Sequence, residues 1–272
     1  MSLCAEHIHF SYRDKTVLAG VDFTLQQGEV FGLLGPNGSG KSTCLKTVLG
    51  YLKPSSGRIV FARFGSLPYG LLVGKEVARR VAFVPQQTAL HSAITVFEAI
   101  LMGRLPHLAD RWSGYGAEDK KSVREVVEAL GLCDLVDRNV TCLSGGELQK
   151  VIIARCLVQE SDILLLDEAT AGLDLNHAVE IMEFMRRKAK EESKSIVAVL
   201  HDVNLASQYC DRIALLKKGC LRYIGTPEEV ISETVLEEIY GIRAKIGYDD
   251  GGKPFVLPRR IETAEREVAN VC

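Results

Sequence analysis

One continuous stretch, Val30-Phe31-Gly32-Leu33-Leu34-Gly35-Pro36-Asn37-Gly38-Ser39-Gly40-Lys41-Ser42-Thr43, carries the strongest structural signal in the sequence. Its first five residues form a continuous apolar run of the kind found in central strands that are buried on both faces. The glycine-rich segment that follows matches the pattern G-x-x-x-x-G-K-[ST], and the sequence is helical in pattern from Lys41 to a terminating Gly50. Strand, loop and helix in this order predict backbone N–H groups that point at phosphate oxygens beside a helix N-terminus.

The side chains of this loop suit a nucleoside triphosphate. Lys41 is expected to reach the β- and γ-phosphates, and Ser42 is expected to ligate Mg²⁺. The alternative is a glycine-rich turn that merely caps a helix. From residue frequencies, the pattern alone should occur by chance in ~1% of chains of this length. The strand before it and the helix after it favour the phosphate-binding interpretation further.

A second apolar run, residues 163–166, ends in two acidic residues, Asp167 and Glu168. Open parallel sheets bind ligands at the carboxyl ends of their strands. We therefore expect Asp167 to hold the Mg²⁺ shell and Glu168 to polarise an attacking water. Taken alone, two surface acids after a core strand would be about as good an explanation, but the phosphate-binding loop in the same chain favours the functional one.

Residues 143–147, Leu-Ser-Gly-Gly-Glu, predict a helix start that can bind an anion. Ser144 and Glu147 form the S-x-x-E capping box, which by itself indicates only where a helix begins. A capping box does not need Gly145 and Gly146, each of which costs up to ~1 kcal/mol of helix propensity relative to alanine. Two bare residues beside a serine hydroxyl allow a ligand to approach the helix end closely, so we expect a second anion site.

Composition limits the classes of function. The chain has 272 residues, a net charge of −2 and a hydrophobic share of 47%, which are typical of a globular protein. It lacks the basic excess usual in nucleic-acid-binding domains, so we expect no nucleic-acid partner. Its eight cysteines include no Cys-x-x-Cys pair, and no apolar run approaches the ~20 residues that span a bilayer. A membrane role would therefore require a separate membrane subunit.

Strand and helix patterns along the chain predict an α/β fold. We expect a P-loop NTPase with a mostly parallel central sheet, an antiparallel β lobe near the N-terminus and an inserted α-helical lobe over about residues 88–160. The expected division is an ATPase domain over 1–240 and a short C-terminal extension over 241–272.

The three motifs, together with His201, resemble in order and spacing those of the ATP-binding-cassette ATPase family, and the resemblance extends over about residues 3–240. It implies two ATP molecules with Mg²⁺, each clamped between the phosphate-binding loop of one subunit and the Ser144 helix of the other in a homodimer. It implies catalytic roles for Lys41, Gln86, Glu168 and His201. It also implies nucleotide contacts by Tyr12, Ser144, Gly145, Gly146 and Asp174 in addition to residues 35–43, and metal contacts by Ser42, Gln86 and Asp167.

Two positions depart from the family pattern. Ala169 stands where proline is usual, which changes the stiffness of the loop but keeps both carboxylates. Lys150 stands where arginine is more common, and we expect little effect on an exposed helix face.

The segment Gly103-Arg104-Leu105-Pro106-His107 resembles importer ATPases for iron-siderophore, haem and cobalamin. The resemblance implies a peripheral subunit on the cytoplasmic face of the plasma membrane, working with permease subunits and indirectly with a solute-binding protein. Pro106 and His107 are equally compatible with a simple helix break. Other importers, such as those for metal ions, and a cassette ATPase acting on nucleic acid remain alternatives.

Overall fold

The computed structural model describes residues 2–61, 65–66, 75–86, 93–109 and 114–259. Its strands are β1 (Leu3–Tyr12), β2 (Lys15–Leu25), β3 (Val30–Leu34), β4 (Ser56–Phe61), β5 (Gly65–Ser66), β6 (Val81–Val84), β7 (Ile163–Asp167), β8 (Ser195–Val199), β9 (Arg212–Lys217), β10 (Cys220–Gly225), β11 (Ala244–Tyr248) and β12 (Pro254–Pro258). Its α-helices are α1 (Lys41–Val48), α2 (Lys75–Ala78), α3 (Val96–Leu101), α4 (Ala117–Ala129), α5 (Gly145–Leu157), α6 (Leu175–Glu192), α7 (Val203–Tyr209), α8 (Pro227–Val230) and α9 (Glu233–Tyr240).

The central sheet has the strand order β10-β9-β3-β8-β7-β6. The strands from β9 to β6 run parallel to their neighbours, and only β10 is antiparallel, in a hairpin with β9. Every residue of β3, β7 and β8 is buried, because helices or the second sheet cover both faces. The prediction of a mostly parallel sheet is confirmed. Its carboxyl edge brings together the ends of β3, β6, β7 and β8.

The predicted antiparallel lobe is also confirmed, with the strand order β2-β1-β4-β5. It packs over one face of the central sheet, where the rings of Phe23 and Phe31 stack at 5.4 Å between centroids. Helix α1 shares this core through the buried side chains of Cys44, Leu45 and Val48. The helix that follows the phosphate-binding loop is therefore fixed between two sheets.

The opposite face of the central sheet carries α6 to α9. The α6 side chains of Met182 and Met185 are buried in this core. The hairpin of β11 and β12 packs against the same core through Ala244 and Val256.

The helical lobe has a third core, formed mainly by α3, α4 and α5. Val123 and Val127 of α4 are buried there, and Gly131 ends the helix region at φ +65°. The lobe is less regular than the sequence pattern suggests, because 3₁₀ helices occupy Met102–His107, Cys133–Leu135 and Val140–Cys142. The predicted start of this lobe at residue 88 and the end of the C-terminal extension lie outside the described residues.

Within the described residues, no helix has the length and apolarity needed to cross a membrane.

Candidate functional site

The phosphate-binding loop connects the buried end of β3 to the start of α1. Gly35 adopts φ +144°, and a Cβ atom at this position would lie 2.0 Å from the carbonyl oxygen of Leu216. Gly40 precedes the helix in a left-handed conformation at φ +110°. Both positions favour glycine for physical reasons: one lacks space for a side chain and the other needs a positive φ. The loop is therefore held tightly against β9.

Lys41 is the first residue of α1, and its side chain extends back to the loop. Its side chain is buried, and its Nζ donates to the carbonyl oxygens of Gly35 at 2.8 Å and Pro36 at 3.2 Å. Burial lowers the pKa of the Lys41 ammonium, while the charges of Glu168 and Asp167 act in the opposite direction. A cation removed from water in this way interacts strongly with an anion that enters the loop.

Ser39 provides a test of whether phosphate fits this loop. Its hydroxyl is buried, and among the described residues it has no hydrogen-bond partner. A buried polar group without a partner costs roughly 1–3 kcal/mol. A phosphate oxygen would supply the missing acceptor, so the loop fits the ligand that its sequence predicts.

Two predicted metal ligands meet at the edge of the sheet. Ser42 Oγ donates to Asp167 Oδ1 at 2.9 Å. Burial raises the pKa of Asp167, and the neighbouring Glu168 raises it further, whereas the Ser42 hydrogen bond and nearby lysines lower it. A hydroxyl and a carboxylate are hard oxygen donors that suit Mg²⁺. This pair could hold the cation.

Three predicted catalytic residues converge from three neighbouring strands. Glu168 follows β7 with φ +54°, an uncommon backbone conformation for a residue with a side chain. Its Oε1 lies 2.7 Å from His201 Nε2, which follows β8, and Gln86, which follows β6, donates from Nε2 to its Oε2. Because the sheet is parallel, the three residues meet at one edge.

A cavity of about 470 Å³ opens over the loop. It contains Tyr12 at one side, residues 37–43 along its floor and Glu168. Tyr12 is half-exposed and makes an edge-to-face contact with Phe10 at 4.8 Å. Most residues expected to contact the nucleotide therefore line a single cavity.

The cavity also contains two lysines that sequence reasoning missed, Lys15 and Lys218. Lys218 lies in the β9–β10 turn, whose Gly219 N–H donates to the Ser39 carbonyl at 2.9 Å. The place of this turn beside the loop follows from the adjacency of β9 and β3, which no local pattern reveals.

The Leu-Ser-Gly-Gly-Glu segment lies elsewhere on the chain. Ser144 caps α5, and its side chain and that of Glu147 form the expected capping box. A Cβ at Gly146 would lie 3.6 Å from Nδ1 of His177, whose ring pairs with Asp174 at 2.8 Å. Ser144, Gly145, Gly146 and Asp174 are absent from the described lining of the cavity. The chain thus brings Tyr12 and most of the loop together in one cavity and leaves these four predicted nucleotide contacts apart from it.

Lys150 corrects one expectation. Its side chain is only 19% exposed, and its Nζ lies 2.7 Å from Glu180 Oε2 on α6. The expectation of an exposed helix face was wrong, because α5 packs beside α6 at this point. Lys150 links the helical lobe to the core.

The Gly103–His107 segment is built into the helical lobe. Arg104 is buried and donates to Asp119 at 2.9 Å and to the Val158 carbonyl at 2.8 Å, and its guanidinium lies 2.9 Å from Glu160. A Cβ at Gly103 would lie 2.0 Å from the Arg155 carbonyl oxygen. These residues therefore have structural roles within the lobe.

The sheet order, the loop geometry and the paired carboxylates define a nucleotide-hydrolysing cassette with a P-loop. A family model described as ABC transporter matches residues 18–171, and the chain belongs to the ABC transporter family. As a member, it is the ATP-binding, ATP-hydrolysing subunit of a transporter.

Individual relatives agree with this assignment. The chain is 35% identical to the ferric enterobactin transport ATP-binding protein FepC of Escherichia coli strain K12, over 94% of this chain and 93% of that protein. It resembles a putative metal-chelate type ABC transporter in an inward-facing conformation, with a TM-score of 0.82 and 25% identity over 95% of this chain and 97% of the other. It also resembles a dimeric bacterial ABC transporter cassette, with a TM-score of 0.73 and 28% identity over 82% and 98% of the two chains.

Proposed function

We propose that two copies of this chain bind Mg-ATP between them and drive uptake of a metal chelate through a separate permease. The observation that carries the catalytic part is the meeting of Lys41, Ser42 and Glu168 in one cavity, with Asp167 bonded to Ser42 and the Ser144 helix end outside the cavity. The relatives named above support the cargo class, since one is named for ferric enterobactin and another for metal chelates.

The residues of the cavity have distinct tasks in this proposal. Ser42 and Asp167, with Gln86, would hold Mg²⁺, which neutralises phosphate charge when bound. Lys41 stabilises negative charge on the β- and γ-phosphates. The backbone N–H groups of residues 35–43 and the Ser39 hydroxyl orient the phosphates. Tyr12 offers an exposed ring to the adenine base.

Glu168 is the proposed general base. Its carboxylate accepts a proton from the attacking water, and Gln86 and His201 hold the two carboxylate oxygens in place. His201 is in addition the proposed contact to the γ-phosphate. Three strand ends hold these side chains, so little reorganisation is required during the reaction.

The dimer completes the site. Ser144, Gly145 and Gly146 form an anion-binding helix end, and Asp174 lies beside it through His177. In a head-to-tail pair, this end of one copy would cover the cavity of the other, as a closed twofold arrangement requires. ATP hydrolysis then separates the copies, and this opening and closing drives the permease.

The cargo is tested in the host from which the gene has been removed. Uptake of labelled ferric siderophore, haem and cobalamin is measured with the wild-type gene restored, with Glu168→Gln, and with Glu191→Gln as a control at an exposed carboxylate. We expect uptake of one of these chelates to require the gene, to fail with Glu168→Gln and to be normal with Glu191→Gln. Unchanged uptake of all three in the deletion strain would contradict the proposed cargo class.

A further inference from the structure

The C-terminal hairpin is attached to the helix that follows His201. Helix α7 begins two residues after this histidine, and β12 lies along its outer side. The hairpin falls outside residues 18–171, to which the family model matches. No described residue of the hairpin lines the nucleotide cavity, so its contacts with α7 add to the site described so far.

Two side chains of α7 bind the backbone of the hairpin directly. Asn204 Oδ1 accepts from the Val256 N–H at 2.7 Å, and its Nδ2 donates to the Val256 carbonyl at 3.2 Å. Ser207 Oγ, which is fully buried, donates to the Pro254 carbonyl at 2.5 Å. A side chain that pairs with both backbone groups of one residue fixes position and direction together.

Further bonds connect the end of α7 to the hairpin turn. Gln208 Nε2 donates to Asp249 Oδ2 at 2.9 Å. Lys253 Nζ donates to the Ser207 carbonyl at 3.1 Å and also to the Gln208 carbonyl. Hydrogen bonds thus join the hairpin to both the first and the last turn of α7.

The start of α7 is fixed from two directions. Asp202, the neighbour of His201, accepts from the N–H groups of Asn204 at 2.7 Å and Leu205 at 3.1 Å. Leu205 packs into the core on the inner side of the helix, while Asn204 holds the hairpin on the outer side. Because α7 has only seven residues, a shift of this turn would move His201 away from Glu168.

We propose that the C-terminal hairpin is a positioning element for His201, acting through Asn204 and Ser207. This inference rests on the role in hydrolysis proposed above for His201. A purely stabilising hairpin would need only its apolar contacts through Ala244 and Val256. The paired bonds to the first turn of α7 instead determine where His201 stands relative to Glu168, at 2.7 Å.

The first test separates turnover from binding. Asn204→Ala and Ser207→Ala are compared with Ser122→Ala, which removes a single hydroxyl bond to Glu160 in the helical lobe. We expect kcat for ATP to fall about tenfold in the α7 variants, since small displacements of catalytic groups are costly. Nucleotide Kd and the melting temperature of the full chain confirm that the variants are folded and bind. Kd should match the wild type, and Ser122→Ala should retain wild-type kcat.

The second test shows whether the effect passes through His201. In a His201→Ala background, Asn204→Ala should cause no further loss of kcat, because the residue that it positions is already absent. Equal fold losses in both backgrounds, or unchanged kcat in Asn204→Ala, would overturn the positioning role. A His201→Ala variant with wild-type kcat would instead overturn the role of His201 itself. The imidazole ¹H–¹⁵N signal of His201 provides an independent readout and should shift in Asn204→Ala while those of the other histidines stay fixed.

Discussion

At the residue scale, the site buries polar groups that a core optimised for stability would avoid. Asp167 is a buried carboxylate, Lys41 is a buried ammonium, and the Ser39 hydroxyl lacks a partner among the described residues. Glu168 adds an uncommon backbone conformation. Features of this kind cost folding free energy and persist where ligand binding requires them.

Asp167→Asn is expected to stabilise the nucleotide-free chain by about 1 kcal/mol at pH 7. Burial raises the pKa of Asp167, so its ionised form is disfavoured in the folded state. The free energy of unfolding of the wild type therefore falls as the pH rises from the ordinary pKa of aspartate to the raised pKa of Asp167 in the folded state. The variant has no such pH dependence at this position, because Asn does not titrate. Urea unfolding should show that Asp167→Asn is more stable than the wild type at pH 7 and that this difference disappears at low pH.

The matched control for this prediction is Asp134→Asn, at an exposed aspartate in the helical lobe. Its unfolding free energy should follow the wild type at both pH values. A less stable Asp167→Asn chain at pH 7 would show that the buried carboxylate is compensated within the nucleotide-free fold.

Tyr240→Phe is expected to leave stability unchanged or to raise it by up to about 1 kcal/mol. Burial raises the pKa of Tyr240 to about 12, and the Gly35 N–H nearby acts in the opposite direction. Its buried hydroxyl forms no well-aligned hydrogen bond within the described residues. Tyr223→Phe is the control and should lose stability, because the Tyr223 hydroxyl donates to Glu238 at 2.6 Å. Thermal unfolding that ranks the two in the opposite order would contradict this account.

At the element scale, the helical lobe depends on one buried cation. Arg104, in the 3₁₀ helix Met102–His107, joins α4 through Asp119 and the end of α5 through the Val158 carbonyl. The Asp119 side chain is only 14% exposed, so water can stabilise its negative charge only weakly when Arg104 is removed. The Gly103–His107 segment, which suggested an importer subgroup, therefore also stabilises this lobe.

Arg104→Met should destabilise the chain by about 3 kcal/mol, because it leaves a buried carboxylate without its partner. The additional change Asp119→Asn should recover part of the loss. Arg58→Met, at an exposed pair with Glu6, should cost much less stability, because water screens this pair. Equal losses of unfolding free energy for the two arginine variants in urea would show that Arg104 does not stabilise the lobe through a buried ion pair.

The elements that sequence reasoning predicted well are those with a local signal. The run before Gly35, the glycine-rich loop and the capping box at Ser144 each depend on neighbouring residues only. Lys218 and Lys150 were missed or misjudged because their surroundings depend on which strands and helices are adjacent. That information lies in the sheet order and the packing of α5 on α6, and no short pattern contains it.

At the scale of the whole molecule, one chain carries the two halves of the proposed nucleotide site at separate positions. The cavity over the phosphate-binding loop contains Lys41 and Glu168, whereas Ser144 lies at the exposed start of α5. The resemblance to a dimeric cassette supports a second copy as the source of the missing half. Family membership establishes the ATPase, and the composite site is the central claim of the proposed mechanism.

Mixing two inactive variants tests this claim most directly. Lys41→Ala removes the loop function and leaves Ser144 intact, whereas Ser144→Arg blocks the helix end and leaves the loop intact. A heterodimer of the two contains one complete site only if each site combines a loop from one copy with a helix end from the other. We predict that each variant alone is nearly inactive and that an equal mixture regains about a quarter of wild-type ATP turnover. A mixture that turns over ATP no faster than the average of its two components would contradict the composite site.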